Sequence, residues 1–195
     1  MVTDPSFWVG CQDDAMGYEG CRERRINWVN KGADQWFSHF DEAFRPHVEV
    51  LYSTDDLPSD QVNEIIYLSV SSGFCGAKDD GKNYIACYRT GFGSPKIVFD
   101  DPLYIAPVVT AHELGHAFGR GHNDTSDGAY SVMSYEFKSL YVLPIDMDLM
   151  CSMHGDCPPH ENTWCEGSFY DPCRCPSASY EDGQAKLEAG EIPCK

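Results

Sequence analysis

The sequence predicts an α+β protein of short strands and a few helices, and three observations support that class. Apolar residues recur at helical spacing in residues 26–45, short alternating segments separated by glycine and proline follow, and a second helical pattern begins at Pro107. Hydrophobic residues make up 42% of the 195-residue chain, which is enough for a packed core. A globally disordered chain is therefore excluded.

The first half of the chain contains one clear helix and two segments of less certain type. In residues 26–45 the aromatic side chains of Trp36, Phe37, Phe40 and Phe44 fall on one helical face, and Pro46 ends the helix. Residues 47–52 alternate like a strand. Residues 59–72 follow Pro58 and favour a helix, although their β-branched content is also compatible with a strand.

The second half is predicted to hold two strands and two helices. Residues 83–88 and 96–99 form short strands, separated by Gly91, Gly93 and Pro95. Pro107 suits the first position of a helix running to residue 118, and residues 144–154 form a further short helix. From there the composition shifts to Cys, Pro, Ser and acidic residues. We therefore expect one domain over 1–155 and a disulfide-rich C-terminal extension over 156–195.

The charge of the chain excludes several classes of partner. Lys and Arg number 14 against 31 Asp and Glu, for a formal net charge of −17. Such a surface repels nucleic acid and anionic membranes, and no run of eighteen apolar residues exists. The charge suits calcium or basic substrates, but solubility alone is the favoured explanation.

The cysteine content predicts disulfides and a secreted protein. The ten cysteines are an even number, and they form no paired CxxC knuckles of the kind that bind structural zinc. Short loops favour the pairs Cys11–Cys21 and Cys75–Cys87, and Cys151 is expected to tie the last helix to the C-terminal extension. No apolar signal segment follows Met1, so we expect that any leader has been removed. A cytosolic protein with free thiols is the alternative.

The segment from His112 to His122 carries the chemistry, because it reads HELGHAFGRGH. On a helix, His112 and His116 lie one turn apart on one face, and Glu113 projects roughly 100° away from His112. Gly119 lets the chain leave the helix in a left-handed turn, which allows His122 to return as a third ligand. Three imidazoles leave a fourth zinc position open, as in catalytic sites. The alternative is an amphipathic helix with three surface histidines.

The sequence Ser131-Val132-Met133-Ser134-Tyr135, whose methionine lies eleven residues beyond His122, supplies a second motif. A long zinc motif followed by this methionine resembles the metzincin clan of zinc endopeptidases, with a tyrosine after the methionine as in astacins and serralysins. The residue after the third histidine, Asn123, and the Cys-rich extension assign no subfamily. The resemblance covers roughly residues 26–155, with its specific motifs in 112–135.

The resemblance implies a fold and a set of roles. The fold would be a small twisted mixed sheet with a backing helix, an active-site helix and a C-terminal helix. One catalytic Zn²⁺ would be held by His112, His116 and His122, with Glu113 as the general base and Met133 below the metal. Tyr135 would be a switchable ligand or a hydrogen-bond donor. Residues 96–99 would be the edge strand that pairs with an extended peptide substrate.

The expected activity is therefore zinc-dependent endopeptidase action on extended peptides, with Glu113 moving the proton between water and the leaving amine. We expect the protein to be a monomer. Two other classes stay open. One is a catalytically silent binding or decoy module on the same scaffold, which the intact Glu113 and histidines argue against. The other is a zinc hydrolase of non-peptide amides.

Two acidic clusters are candidate calcium sites, residues 79–83 and 123–127. Carboxylate oxygens and a turn glycine suit calcium, but neither cluster matches an EF-hand loop. Solvated turns are the favoured interpretation of both.

Overall fold

The computed structural model describes residues 1–37, 49–51, 65–91, 95–122, 132–133 and 146. The chain divides into two compact units. The first consists of Met1–Gly32 and His47–Ala117, and the second consists of Ala33–Pro46 and Phe118–Lys195. The described residues form a mixed α/β structure with a small four-stranded sheet. This confirms the predicted class at the level of its secondary structure.

The sheet lies in the first unit and has the order β1-β2-β4-β3. Its strands are β1 (Val2–Thr3), β2 (Tyr67–Val70), β3 (Ala86–Arg89) and β4 (Lys96–Phe99). β1, β2 and β4 run parallel, and β3 pairs antiparallel with β4. The sheet is thus mixed, as expected, and β4 matches the predicted strand at 96–99. β3 confirms the strand predicted at 83–88 in part, because it begins three residues later.

The long helix α1 (Gly17–Phe37) begins at a turn that the sequence encodes. Asp14 accepts a hydrogen bond from the Met16 backbone N–H, and Gly17 adopts a φ of 75°, which glycine adopts without steric cost. Cys21, Arg25 and Val29 then follow at intervals of four and are all buried. That spacing defines the buried face of the first part of the helix.

Arg25 and a disulfide join α1 to the residues before it. The guanidinium of Arg25, 5% exposed, donates hydrogen bonds to the backbone carbonyls of Phe7 and Val9. The Cys11–Cys21 disulfide closes the same segment, and Cys75–Cys87 joins the β2–β3 connection to β3. Both predicted local pairs are confirmed. Two disulfides within the described residues indicate an oxidising compartment.

The second helix, α2 (Pro107–Ala117), matches the predicted helix at 107–118 apart from its last residue. Pro107 occupies its first turn, where its missing N–H leaves no hydrogen bond unmade. The helix is buried along most of its length, including Leu114 at 2% exposure. The core of the first unit is completed by apolar side chains of the sheet and its connections, namely Phe7, Leu68, Ile97, Val98, Phe99 and Ile105.

The second unit contains aromatic ring contacts and an ion pair. Phe118 packs its ring edge-on against Trp36, with centroids 5.3 Å apart, and also contacts Phe37. Arg120 pairs with Asp146 at 3.1 Å. Within the described ranges, no helix combines the length and the apolar character that a membrane crossing requires.

Two predicted elements differ from the structure. The helix expected at 26–45 begins nine residues earlier, at Gly17, because 17–25 is rich in Arg and Glu, which favour helix without being apolar. Apolar periodicity alone therefore missed it. The helix favoured over 59–72 is wrong where the structure describes it, since residues 67–70 form β2. The β-branched residues of this segment fit an interior strand between β1 and β4.

The remaining predictions fall partly or wholly outside the described residues. Of the strand expected at 47–52, only an isolated bridge between Val2 and Leu51 is described. The helix at 144–154 is described at Asp146 alone, which is helical. The C-terminal extension, its cysteines and the boundary between 155 and 156 lie outside the described residues, so that domain division stays a prediction.

Candidate metal centre

The helix α2 presents two histidines one turn apart, as their spacing of four requires. The imidazole rings of His112 and His116 are perpendicular, with centroids 4.8 Å apart. His112 is 4% exposed, whereas His116 is half-buried. The two rings thus lie together on one face of α2, as two ligands of one ion require.

The third histidine follows the helix end. Gly119 has a φ of 81°, so the predicted left-handed turn is confirmed. The ligand atoms of His112, His116 and His122 all lie within 4.8 Å of one another. The three histidines are thus positioned to bind one metal ion. Among the described residues, no other group of three or more His, Cys, Asp or Glu is gathered in this way.

Glu113 lies between these ligands in the sequence and is 4% exposed. Burial raises the pKa of its carboxyl to about 7, while a hydrogen bond from the Tyr88 backbone N–H and the nearby Arg89 guanidinium act to lower the pKa. Its Oε2 atom is buried and has no hydrogen-bond partner among the described residues. A buried acceptor that receives no hydrogen bond costs about 1–3 kcal/mol, so a donor at this oxygen would be favourable.

The donor set and this orphaned oxygen together fit a zinc ion. Three neutral imidazole nitrogens are a common zinc ligand set and leave one coordination position open. Oε2 of Glu113, the residue after His112, is a buried acceptor whose hydrogen bond a water molecule would supply. Imidazole nitrogens also suit copper, iron and nickel.

The acidic cluster at residues 79–83 has a structural explanation. Asp80 accepts a hydrogen bond from the Lys82 N–H and pairs with the Lys82 ammonium at 3.7 Å. Gly81 occupies the turn with a φ of 77°, and Asn83 donates its side-chain amide to Asp100. These contacts agree with the favoured interpretation, a solvated turn. The second cluster, residues 123–127, lies outside the described residues.

The structure corrects the predicted edge strand. Residues 96–99 form β4, which lies between β2 and β3, so within the described residues the sheet ends at β3 instead. The sequence holds no signal for strand order, so the position of β4 within the sheet could not be read from it. β3 is also the strand that reaches the site, because Tyr88 donates its backbone N–H to Glu113.

The ion pair between Arg120 and Asp146, which lies near the third histidine in the sequence, was not predicted. Arg120 stands two residues before His122, and its guanidinium pairs with Asp146, which has no exposed surface. The side chain of Arg120 is 10% exposed. The sequence offered only an acidic residue near the start of the predicted helix at 144–154 and an arginine inside the histidine motif, with nothing that links the two.

Of the two residues singled out in the second motif, the structure describes Met133 and not Tyr135. Met133 and its neighbour Val132 are both fully buried. Tyr135 lies outside the described residues, so its predicted role stays a prediction. The roles of Glu113 and Met133 in catalysis likewise stay predictions, since burial alone does not assign them.

Comparison with known proteins adds no relative. No protein-family model matches the chain, and a search of curated proteins finds no significant match.

Proposed function

We propose that this protein is a secreted zinc-dependent endopeptidase of the metzincin clan. The observation that carries the proposal is the meeting of three histidine ligand atoms within 4.8 Å, in a segment that also buries Glu113. The disulfides support secretion, and the long histidine motif with Met133 supports the clan.

His112, His116 and His122 would hold the ion, and the remaining residues would move protons and position the substrate. A zinc ion so held supplies a Lewis acid for the peptide carbonyl and lowers the pKa of water. The Glu113 carboxylate takes a proton from the attacking water and passes it to the leaving amine. Such acid–base action requires the carboxylate to be ionised before attack.

The substrate would add to the sheet at β3. An extended peptide that pairs with an edge strand is fixed through its backbone, so cleavage need not depend on a chain terminus. Because Tyr88 of β3 contacts Glu113 directly, a peptide on this edge would run past the catalytic carboxylate. This placement supports endopeptidase rather than exopeptidase action.

The test compares zinc content and cleavage of denatured casein in three variants. Glu113→Gln should keep one zinc per chain but lose at least about 10²- to 10⁴-fold in rate, because the ligands remain and the base does not. His122→Ala should lose zinc binding itself. Glu19→Gln is the matched control, since this glutamate is 73% exposed on α1 and should behave as wild type.

The outcomes separate the competing functions. Wild-type protein that binds zinc and cleaves neither casein nor gelatin would favour the silent binding module or a hydrolase of other amides. A Glu113→Gln variant that cleaves at nearly the wild-type rate would show that the proposed mechanism is wrong. Restoration of activity by zinc after chelation would support it.

A further inference from the structure

Two cations face each other at one end of the edge strand. Arg89, the last residue of β3, is directly opposite Lys96, the first residue of β4. Side chains opposite each other in an antiparallel pair lie on the same face with Cβ atoms about 4.5–5.5 Å apart, where like charges are destabilising. The fold therefore tolerates a repulsion at this position.

Neither cation forms an ion pair within the described part of the chain, although the Arg89 guanidinium lies close enough to Glu113 to lower the pKa of that carboxyl. Arg89 donates to the Cys75 carbonyl at 3.5 Å, and the Lys96 ammonium lies 4.2 Å from the centre of the Phe74 ring. None of the ion pairs among the described residues includes either of them. Acidic residues outnumber basic ones by 31 to 14, so two adjacent cations that form no described ion pair are unusual in this protein.

The pair also lies beside the candidate centre. The Asp100 N–H donates to the Ile85 carbonyl, so by alternation the backbone groups of Ala86 and Tyr88 point away from β4. The outward groups of Ala86 are the ones that an added strand would pair with, since the Tyr88 N–H already donates to Glu113. Tyr88 also donates to Glu113, and Arg89 is the next residue. A peptide on this edge would thus pass both Glu113 and the two cations.

We propose that Arg89, with Lys96 beside it, recognises an acidic side chain of the substrate, so that the preferred substrates are acidic extended peptides. This inference rests on the proposed endopeptidase function and adds the substrate class to it. Because alternate residues of an added strand share a face, the preference falls on one peptide position, or on two positions that are two residues apart. The net charge of the whole chain favours basic substrates. Salt screens that long-range attraction more than it screens a direct contact at the strand edge, so the contact decides the preference.

The test uses a ten-residue peptide that the protein cleaves, with one Glu or one Lys moved through every position around the scissile bond. For wild type, kcat/KM should favour Glu over Lys by about fivefold or more at one position, as expected for an exposed ion pair whose sign is reversed. Arg89→Glu should invert that preference at the same position and leave the others unchanged. Arg89→Gln should remove it.

Lys82→Glu is the matched control, because it makes the same change of charge at an 82% exposed side chain of the turn before β3. It should keep the wild-type preference. Circular dichroism and zinc content of each variant check that the fold and the centre are intact.

A binding measurement separates this inference from the catalytic proposal. Fluorescence anisotropy of labelled Glu and Lys peptides is followed on Glu113→Gln and on Glu113→Gln with Arg89→Glu. Cleavage without a positional preference, or a preference unchanged by Arg89→Glu, would overturn the inference and leave the endopeptidase proposal standing. No cleavage by zinc-loaded wild type, with binding that favours Glu and depends on Arg89, would overturn the endopeptidase proposal and support acidic recognition.

Discussion

At the scale of single residues, Glu113 is the clearest case of a side chain placed against its own preference. A carboxylate prefers water, yet Glu113 is 4% exposed and one of its oxygens is unpaired within the described residues. Residues placed in this way are common at functional sites, where stability is given up for reactivity. The same burial makes a prediction about pH.

The zinc-free protein should lose stability as the pH rises from about 4.5 to about 7, and Glu113 should be one cause. Because burial raises its pKa to about 7, the folded chain holds a proton in this range that the unfolded chain has released. The contribution of Glu113 to the free energy of unfolding is most favourable below the pKa of 4.5 that the residue has in the unfolded chain. That contribution is lost as the pH rises above the folded pKa of about 7. Glu113→Gln should therefore gain up to about 3 kcal/mol over wild type at pH 8, and almost nothing at pH 4.5.

Urea unfolding followed by tryptophan fluorescence, in the presence of a chelator at pH 4.5 to 8, measures this difference. Equal pH dependence in wild type and Glu113→Gln would contradict the prediction. Added zinc should reduce the effect, since a nearby cation favours the ionised carboxylate.

At the scale of elements, the two helices meet at a glycine. A Cβ atom at Gly32 of α1 would lie 2.6 Å from the Pro107 carbonyl oxygen and 2.6 Å from the Thr110 Cβ of α2. Both distances are shorter than real Cβ contacts, so the backbones approach as closely as they do only because this residue has no side chain. The position of α2, which carries the histidines, depends on that approach.

Gly32→Ala should therefore destabilise the protein by about 1–3 kcal/mol, although alanine is the better helix former. The extra methyl group must push α2 away from α1. Gly20→Ala in the first turns of α1 is the control, because there the close neighbour is Met16, an exposed residue that precedes the helix. Thermal denaturation of both variants measures the loss of stability. An equal loss in Gly32→Ala and Gly20→Ala would show that Gly32 is not a packing constraint.

The Arg120–Asp146 pair is the second contact between elements that the site depends on. Removing one partner of a buried ion pair leaves the other charge without compensation, at a typical cost of about 3–5 kcal/mol. Asp146→Ala should show that loss and should also weaken zinc binding, since Arg120 lies in the turn that leads to His122. Replacing both partners, as in Arg120→Met with Asp146→Leu, should recover part of the stability.

Chemical denaturation and zinc titration of these two variants check the prediction. If Asp146→Ala and the double variant were equally unstable, the uncompensated charge would not be the cause.

At the scale of the whole molecule, covalent links and net charge act in opposite directions. A formal charge of −17 repels itself and favours expansion, while disulfides restrict the unfolded chain. Cys11–Cys21 and Cys75–Cys87 enclose short loops with sequence separations of 10 and 12. A loop of this size contributes about 3 kcal/mol in the chain-entropy account.

We expect all ten cysteines to be oxidised in the folded protein. Thiol titration after denaturation without reductant should find close to zero free thiols per chain, and several would contradict both the pairing and the proposed secretion. Replacing Cys75 and Cys87 together by serine should lower stability by about 3 kcal/mol, measured by urea unfolding.

Local rules in the sequence determined most of the metal centre and part of the fold. The spacing of four placed His112 and His116 on one face, and glycine at position 119 specified the left-handed turn, because both follow from backbone geometry within a few residues. The boundaries of α2 and β4 and the two short disulfide loops were predictable for the same reason.

Only the tertiary structure decided which contacts distant segments make. It placed β4 inside the sheet and β3 at its edge, made residues 67–70 a strand, and brought Asp146 to Arg120. Strand order and ion pairs between distant residues depend on which surfaces can be buried together, and no short-range pattern encodes that choice. The cations Arg89 and Lys96 became a candidate recognition site only once β3 and β4 were paired, since their opposition arises from strand register.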